Sequence, residues 1–256
     1  MELNYKFYPN SGSKEDIYII LHGLFGSSKN WVTISKFLSS YGDVYSLDLR
    51  NHGDSPHAEE HSIAVMAKDL DEFIQKLNLK NVILFGHSMG GLVSMYYDFL
   101  HPATLKKLII QDIAPRSYPF AYSKEIEAMK LPLSGLTNRS EIDSKLATVL
   151  SNDFIRQFLL MSLERNEDGS YHWKLNVDGL DRSRRLFEDN FTDMRLSRTD
   201  VLFLLGANSE YITKEDVELI ARMYPNAKIK NIVGGGHYIH FTHQKEFLEV
   251  LAAELN

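Results

Sequence analysis

The sequence of 256 residues contains no cysteine. This absence excludes disulfide bonds, a thiolate nucleophile and cysteine-ligated metals, and it is compatible with a reducing compartment. The formal net charge of −6 comes from acids and bases mixed along the chain, without the basic stripe that nucleic acid or an anionic membrane surface would attract. Serine, histidine and carboxylates must therefore carry any chemistry, and the expected partner is a small molecule.

Long apolar runs are also missing. No segment approaches the ~20 consecutive apolar residues that a transmembrane helix needs. Residues 1–10 show no basic stretch followed by an apolar one, as a signal peptide would. With 44% hydrophobic residues, the chain can nevertheless bury a large core. These features predict a soluble, globular protein of the cytoplasm.

Short apolar segments alternate with amphipathic helical segments through most of the chain. Residues 17–21 form a continuous apolar run typical of a strand buried on both faces, and residues 82–85 and 108–110 form two more. Apolar residues recur at helical spacing between them, as in residues 66–77. This alternation predicts an α/β fold with a mostly parallel, doubly wound sheet that carries helices on both faces.

The alternation is interrupted between residues 115 and 198. This segment has a helical, charged and aromatic pattern, and the strand pattern resumes with the apolar residues 201–206. We therefore expect one core, built from residues 1–114 and 199–256. Residues 115–198 are predicted to form a helical cap inserted into that core.

The stretch Gly86-His87-Ser88-Met89-Gly90 follows a predicted strand and opens a predicted helix. The glycines allow a turn so tight that a side chain at either position would collide with the strand or the helix. Such a turn lifts a serine above the carboxyl edge of the sheet, as a nucleophile requires. It also places the N–H of Met89 where the negative charge of an oxyanion would develop. The alternative is a serine that only caps the helix.

A second turn follows the first buried strand. It consists of residues 22–26, His-Gly-Leu-Phe-Gly, and in this arrangement the N–H of Leu24 can point at the same oxyanion as that of Met89. Without Ser88 in the sequence, the same residues would indicate an ordinary loop. His22 is interpreted as a packing or hydrogen-bonding residue, because an oxyanion site needs N–H donors and the general base comes from elsewhere.

The candidate general base is His237, in the stretch GGGHYIHF of residues 234–241. It lies on a loop after a late strand, from which it can approach Ser88 at the same sheet edge. His240 is the rival, but the glycines place His237 at the apex of the loop. The alternative is a surface histidine on a glycine-rich loop. No histidine shows a metal-ligand spacing such as His-Glu-X-X-His, so neither a metal nor another cofactor is predicted.

Six motifs follow one another along the chain: HGLFGS, LDLRNHGDSP, GHSMGG, QDIAP, GANSEYI and GHYIH. In identity and order they resemble the α/β-hydrolase superfamily over almost the full length of the chain. Within it they are similar to the small bacterial YbfF-type esterases. The resemblance implies a capped α/β-hydrolase fold and ester hydrolysis by a serine nucleophile. Asp48, Arg50 and His52, in the second motif, are interpreted as a polar loop that braces the edge of the site.

The acid of the catalytic triad departs from the usual pattern. In most α/β-hydrolases it is an aspartate in a turn after the strand that follows the cap, but here Ser209 stands at that position. Asp112 is favoured instead, because a carboxylate at the end of a parallel strand lies on the catalytic edge. Glu210 is the alternative acid. Each also has a structural alternative, a turn cap for Asp112 and a solvated charge for Glu210.

Together these residues predict a serine hydrolase that transfers an acyl group to water. His237 would deprotonate Ser88, which would attack an ester or thioester carbonyl, while the N–H groups of Leu24 and Met89 bind the oxyanion. Asp112 would orient His237. The same triad on this fold also serves C–C bond hydrolases and lyases of menaquinone biosynthesis. A catalytically inactive ligand receptor is the alternative from another class.

Overall fold

The central strands are the segments in which nearly every residue is apolar and buried. The computed structural model describes residues 1–188, 191 and 196–255. Within those residues, seven strands form the main sheet: β1 (Tyr5–Tyr8), β2 (Asp16–Leu21), β3 (Gly42–Leu47), β4 (Val82–His87), β5 (Lys107–Gln111), β8 (Val201–Gly206) and β9 (Lys228–Ile232). A separate hairpin consists of β6 (Leu163–Arg165) and β7 (Tyr171–Trp173).

The helices lie between the strands. They are α1 (Val32–Leu38), α2 (Ile63–Lys76), α3 (Met89–Leu100), α4 (Ser123–Met129), α5 (Arg139–Leu146), α6 (Asp153–Leu160), α7 (Val177–Arg182), α8 (Lys214–Met223), α9 (Ile239–Thr242) and α10 (Gln244–Leu255), with a short 3-10 helix at Ser28–Trp31. Side-chain caps fix several of their starts: Ser62 accepts from the N–H of Val65 at the start of α2. Within the described residues, no helix is long and apolar enough to cross a bilayer.

The main sheet is mostly parallel, as the alternating pattern predicts. Its strand order is β1-β3-β2-β4-β5-β8-β9. Only the pair β1 and β3 is antiparallel among the strands of this sheet that the structure describes. The register places His87, at the end of β4, opposite Gln111, at the end of β5. Ser88 and Asp112 are therefore the first residues beyond two neighbouring strands, at the same edge of the sheet.

Successive side chains of the central strands enter two different cores. Ile19 and Leu21 of β2 pack into one core, which also contains residues of α2, α3 and α8. Tyr18 and Ile20 pack into the other, with residues of α1 and α10. Because side chains alternate across a strand, a continuous apolar run fills both cores at once. The doubly wound prediction is thus confirmed.

Helices α4 to α7 and the β6–β7 hairpin occupy the segment between β5 and β8 that is predicted to be the cap. The hairpin is not evident from the sequence, because strands of three residues are too short to show a period. The side chain of Trp173 ties it to α4, with its Nε1 donating to the carbonyl of Met129 at 2.8 Å. The boundaries of the cap at residues 115 and 198 stay a prediction.

Candidate active site

Ser88 lies on a strained turn between β4 and α3. Its φ of 51° and ψ of −119° fall in a region that residues other than glycine rarely adopt. Glycine is required at position 90, because a Cβ there would lie 2.2 Å from the carbonyl oxygen of Leu21 on β2. The tight packing around this turn holds Ser88 at the edge of the sheet, beside the amide of Met89 in the first turn of α3.

The loop after β2 passes directly beside Ser88. A Cβ on Gly23 would lie 3.2 Å from the Cβ of Ser88 and 2.8 Å from Nδ1 of His87, so only glycine allows this approach. Leu24 is the next residue of that loop. Within the described part of the chain, neither the N–H of Leu24 nor that of Met89 donates to a protein acceptor. Two uncommitted donors near one serine are what an oxyanion site needs.

Two buried histidines hold this loop in place. His22 donates from Nδ1 to the carbonyl of Gly23 at 2.8 Å and accepts at Nε2 from the N–H of Leu49 at 3.0 Å. His52 accepts at Nε2 from the N–H of Phe25 at 3.3 Å. Burial lowers the pKa of both rings, so both stay neutral and can accept these bonds. His22 therefore has the hydrogen-bonding role that the sequence predicts.

Asp48 and Arg50, in the loop after β3, both form hydrogen bonds with protein partners. Asp48 accepts from the N–H groups of Ser28 at 2.6 Å and of Asp54 at 2.9 Å. Burial opposes ionisation of Asp48, but its hydrogen bonds outweigh this effect and lower its pKa. Arg50 binds both carboxylate oxygens of Asp69, at 2.6 and 2.8 Å. These contacts agree with a bracing role for the loop.

His237 forms a hydrogen bond with Asp112. Its Nδ1 donates to Oδ2 of Asp112 at 2.7 Å, and this carboxylate is completely buried. The other oxygen, Oδ1, accepts from the N–H of Gly206 at 2.8 Å. The rings of His237 and His87 lie 4.8 Å apart between centroids, and His87 precedes Ser88 in the chain. The structure thus brings Ser88, His237 and Asp112 to the same edge of the sheet.

Ser209 stands where most α/β-hydrolases carry the acid, and it contacts Asp112. Its hydroxyl donates to Oδ2 of Asp112, the oxygen that also accepts from His237. The hydroxyl oxygen accepts from the N–H of Tyr211 at 3.2 Å. The ring of Tyr211 stacks on that of His237, with centroids 3.8 Å apart and 17° between the planes. Sequence reasoning misses these three contacts, and the serine at the usual acid position is the signal that could have revealed its contact with Asp112.

Glu210, the alternative acid, occupies a different place. Its side chain is exposed and lines a cavity in front of Ser88. Among the described residues, no hydrogen bond or ion pair joins Glu210 to His237. The carboxylate on the His237 ring is therefore that of Asp112.

His240, the rival base, is buried and packs behind the loop that carries His237. Its ring stacks on Trp31, with centroids 4.4 Å apart, and its Nδ1 lies 2.7 Å from Nε2 of Gln111. Burial lowers the pKa of His240 to about 3. Gln111 and His87 both donate to the carbonyl of His237, at 3.3 and 3.1 Å. His240 thus packs behind the loop that carries His237.

The cavity in front of Ser88 has a volume of about 290 Å³. The other described residues that line it are Ile113, Arg116, Tyr118, Pro119, Ala121, Tyr122, Phe187, Glu210 and Tyr211. Most of them belong to the predicted cap, and most are apolar or aromatic. In the described ranges, no cluster of three or more histidine or acidic side chains has the geometry to hold a metal ion.

Residues 18–244 match the family described as alpha/beta hydrolase fold. The chain belongs to this family, as its motifs predict. It is 33% identical to the sn-1-specific diacylglycerol lipase ABHD11 of Xenopus laevis, over 98% of this chain and 83% of the relative. The Mus musculus protein of the same name is 31% identical, over 93% of this chain and 80% of the relative. The solved structure of a marine microorganism esterase superposes with a TM-score of 0.91 at 39% identity, covering 98% of this chain and 99% of that one.

Proposed function

We propose that this protein is a serine hydrolase that cleaves small-molecule carboxylic esters through an acyl-enzyme intermediate. In this proposal Ser88 is the nucleophile, His237 the general base and Asp112 the acid. The observation that carries it is the 2.7 Å hydrogen bond from His237 to a buried Asp112 beside the strained turn of Ser88. The similarity to an esterase and to diacylglycerol lipases supports ester hydrolysis.

The first half of the reaction forms the acyl-enzyme. His237, oriented by Asp112 through Nδ1, accepts the proton of Ser88 at Nε2. Oγ of Ser88 attacks the ester carbonyl, and the N–H groups of Leu24 and Met89 donate to the oxyanion. Protonated His237 then gives its proton to the departing alkoxide, and the acyl group stays on Ser88.

The second half returns the enzyme to its starting state. Water, deprotonated by His237, attacks the acyl carbonyl, and the same two N–H groups hold the second oxyanion. The bond from the acyl carbon to Oγ of Ser88 then breaks, and Oγ receives the proton from His237. The products are a carboxylic acid and an alcohol, or a thiol where the substrate is a thioester.

The cap is proposed to form the wall of the substrate pocket. Tyr118, Tyr122 and Phe187, within residues 115–198, line the cavity beside Ser88. Their rings offer apolar surface to an acyl or alcohol group and reduce the access of water to it.

The first test is covalent labelling combined with ester hydrolysis. Wild-type protein should react with a fluorophosphonate probe at Ser88 and hydrolyse 4-nitrophenyl butyrate and a thioester panel. Ser88→Ala should take no label, and its kcat should be about 10⁴-fold or more below that of wild type. Circular dichroism shows whether this variant is folded. Label without ester or thioester turnover would favour a C–C bond hydrolase or a lyase. Folded protein that takes no label would favour an inactive receptor.

A further inference from the structure

The cavity in front of Ser88 is lined by one carboxylate and one guanidinium among the described residues. The carboxylate of Glu210 is exposed, and no hydrogen bond or ion pair to it is found within the described ranges. The guanidinium is that of Arg116. The charge that a substrate meets in this cavity depends on whether Arg116 is available to it.

Arg116 is engaged by the protein. Its Nε donates to Oδ1 of Asp216 at 2.6 Å and its Nη2 to Oδ2 at 3.2 Å. Nη1 donates to the carbonyl of Ser117 at 3.0 Å, and Nη2 also donates to that of Tyr211 at 3.4 Å. These bonds use four of the five N–H donors of a guanidinium, and its face lies 3.7 Å from the ring centroid of Tyr118. Arg116 therefore anchors the start of the cap.

Asp216, the partner of Arg116, is held in position by burial and by the cap of α8. It is 3% exposed and lies in the first turn of α8. Its Oδ2 accepts from the N–H of Thr213 at 2.9 Å, and its N–H donates to the hydroxyl of Thr213, which completes a capping box. The bidentate ion pair cancels the charge of Arg116, and Glu210 is left without compensation from it.

Two further carboxylates, those of Glu125 and Asp112, affect a tyrosine hydroxyl that lines the cavity. Burial raises the pKa of the Tyr211 hydroxyl, and the hydrogen bond with Tyr122 opposes this rise. The charges of Glu125, Asp112 and Glu210 raise the pKa of Tyr211 further. Burial and the neighbouring Tyr211 are the larger causes of the raised pKa of Tyr122, and the charge of Glu125 contributes as well. Glu125 and Asp112 thus act on the hydroxyl of Tyr211 in the same direction as Glu210, the carboxylate that lines the cavity.

We propose that this site selects esters that carry no negative charge in the group bound in the cavity, and that Glu210 is the residue that repels anionic ones. This inference rests on the proposed function and specifies its substrate class. Neutral acyl esters fit the site, whereas esters of dicarboxylic acids and other carboxylate-bearing substrates meet an unpaired like charge. The selection follows from the ion pair of Arg116 and Asp216, which removes the cation that an anionic substrate would need.

The test compares substrates that differ by one negative charge. On the acyl side, 4-nitrophenyl valerate is paired with mono-4-nitrophenyl glutarate, in which a carboxylate replaces the terminal methyl group. On the alcohol side, methyl 4-acetoxybenzoate is paired with 4-acetoxybenzoate. The readout is the ratio of kcat/KM for the neutral and the anionic ester, measured on the same preparation. For the pair whose varied group enters the cavity, the wild-type ratio should be about tenfold or more, and it should decrease as salt increases.

Variants at position 210 identify the source of the discrimination. Glu210→Gln keeps the shape of the side chain and removes its charge, and it should lower the neutral-to-anionic ratio several-fold, to about threefold or less. Glu249→Gln on α10 is the matched control, because it removes one exposed carboxylate that is not part of the cavity lining, and its ratio should equal that of wild type.

The outcomes separate the two proposals. If neutral and anionic esters of both pairs are hydrolysed equally well by wild type, the inference is wrong and ester hydrolysis stands. An unchanged ratio in Glu210→Gln would also overturn it, because the discrimination would then have another origin. If folded wild type hydrolyses none of the four esters, the proposed function itself has failed.

Discussion

The hydroxyl of Ser209 and the side chain of His237 donate to the same oxygen of Asp112. The carboxylate reaches this point from the end of β5, while Ser209 lies on the loop after β8, where the acid of this fold usually lies. Two donors on Oδ2, together with the N–H of Gly206 on Oδ1, fix the carboxylate in one orientation. The proposed acid, Asp112, is thus held by the residue that stands where most α/β-hydrolases carry the acid.

Removal of this hydroxyl should weaken catalysis without removing it. Ser209→Ala deletes one hydrogen bond to a charged, buried carboxylate, a contact that contributes about 1.5–3 kcal/mol. We expect kcat for 4-nitrophenyl butyrate to fall about tenfold with little change in KM, because Ser209 orients Asp112 and does not line the cavity. Steady-state kinetics with both constants resolved is the measurement.

The matched control for this variant is Ser40→Ala. The hydroxyl of Ser40 also donates a hydrogen bond, to the carbonyl of Phe37 at 2.8 Å. Ser40 lies on the surface just before β3, at the opposite edge of the sheet. It should keep wild-type kcat. A Ser209→Ala enzyme with unchanged kcat, or with a changed KM alone, would contradict a role for Ser209 in orienting Asp112.

The identity of the acid can be tested by two isosteric substitutions. Asp112→Asn keeps the size of the side chain but no longer stabilises a protonated His237, so kcat should fall about 10⁴-fold. The kcat of Glu210→Gln for a neutral ester should fall far less, because no contact joins Glu210 to His237 among the described residues. The measurement is kcat for 4-nitrophenyl butyrate on both folded variants. A collapse in Glu210→Gln alone would move the acid to Glu210.

The loop after β2, residues 22–26 with the proposed oxyanion donor Leu24, should not tolerate a methyl group at position 23. We refer to it as the oxyanion loop. Gly23→Ala would place a Cβ 2.8 Å from Nδ1 of the buried His87 ring and 3.2 Å from the Cβ of Ser88, so the loop must move away. In the proposed mechanism a displaced Leu24 N–H would no longer meet the oxyanion, and loss of one such donor costs about 10²–10³ in kcat. Kinetics of purified Gly23→Ala, with its thermal unfolding measured alongside, checks this expectation.

Gly236→Ala offers a contrast at the same site. A Cβ at Gly236 would meet no atom within 4 Å among the described residues, although this position adjoins His237. We expect it to retain most of the activity that Gly23→Ala loses. Equal losses in the two variants would mean that any added methyl group near the site is harmful, and that the oxyanion loop has no special role.

The fold could be predicted from the sequence because its central strands are nearly continuous apolar runs. Residues 201–206 are such a run, and they correspond to the whole of β8. The serine turn could be predicted for the same kind of reason, since a strand, two glycines and a helix within a few residues permit one local geometry. Local sequence determines both features, and no long-range contact is needed to recognise them.

The rest of the site depends on contacts between distant residues. The bond of Ser209 to Asp112 joins positions 97 residues apart, and the ion pair of Arg116 and Asp216 joins positions 100 apart. Both arise from the register of neighbouring strands and the entry path of the cap, which no local pattern encodes. The contacts that favour Asp112 over Glu210 as the proposed acid, and the pairing of Arg116, are therefore seen only in the structure.

Acid sensitivity should come in part from a buried histidine outside the proposed active site. His61 is 5% exposed, and among the described residues neither ring nitrogen has a hydrogen-bond partner. Burial, with the nearby charge of Arg50, lowers its pKa from 6.5 to about 3. Below about pH 6.5 the unfolded chain therefore binds a proton that the folded chain does not, so the free energy of unfolding decreases as the pH falls toward 3.

Replacement of this ring by an apolar side chain should remove that contribution. Between pH 7 and pH 5, one histidine with these two pKa values costs about 2 kcal/mol of stability. From pH 7 to pH 5, the free energy of unfolding of His61→Leu should therefore fall by about 2 kcal/mol less than that of wild type. Urea unfolding at both pH values measures this difference. Between pH 7 and pH 8 the ring is neutral in both states, so the two proteins should change alike. If the free energy of unfolding of both proteins falls equally from pH 7 to pH 5, then His61 is protonated in the folded protein or other groups dominate the response to acid.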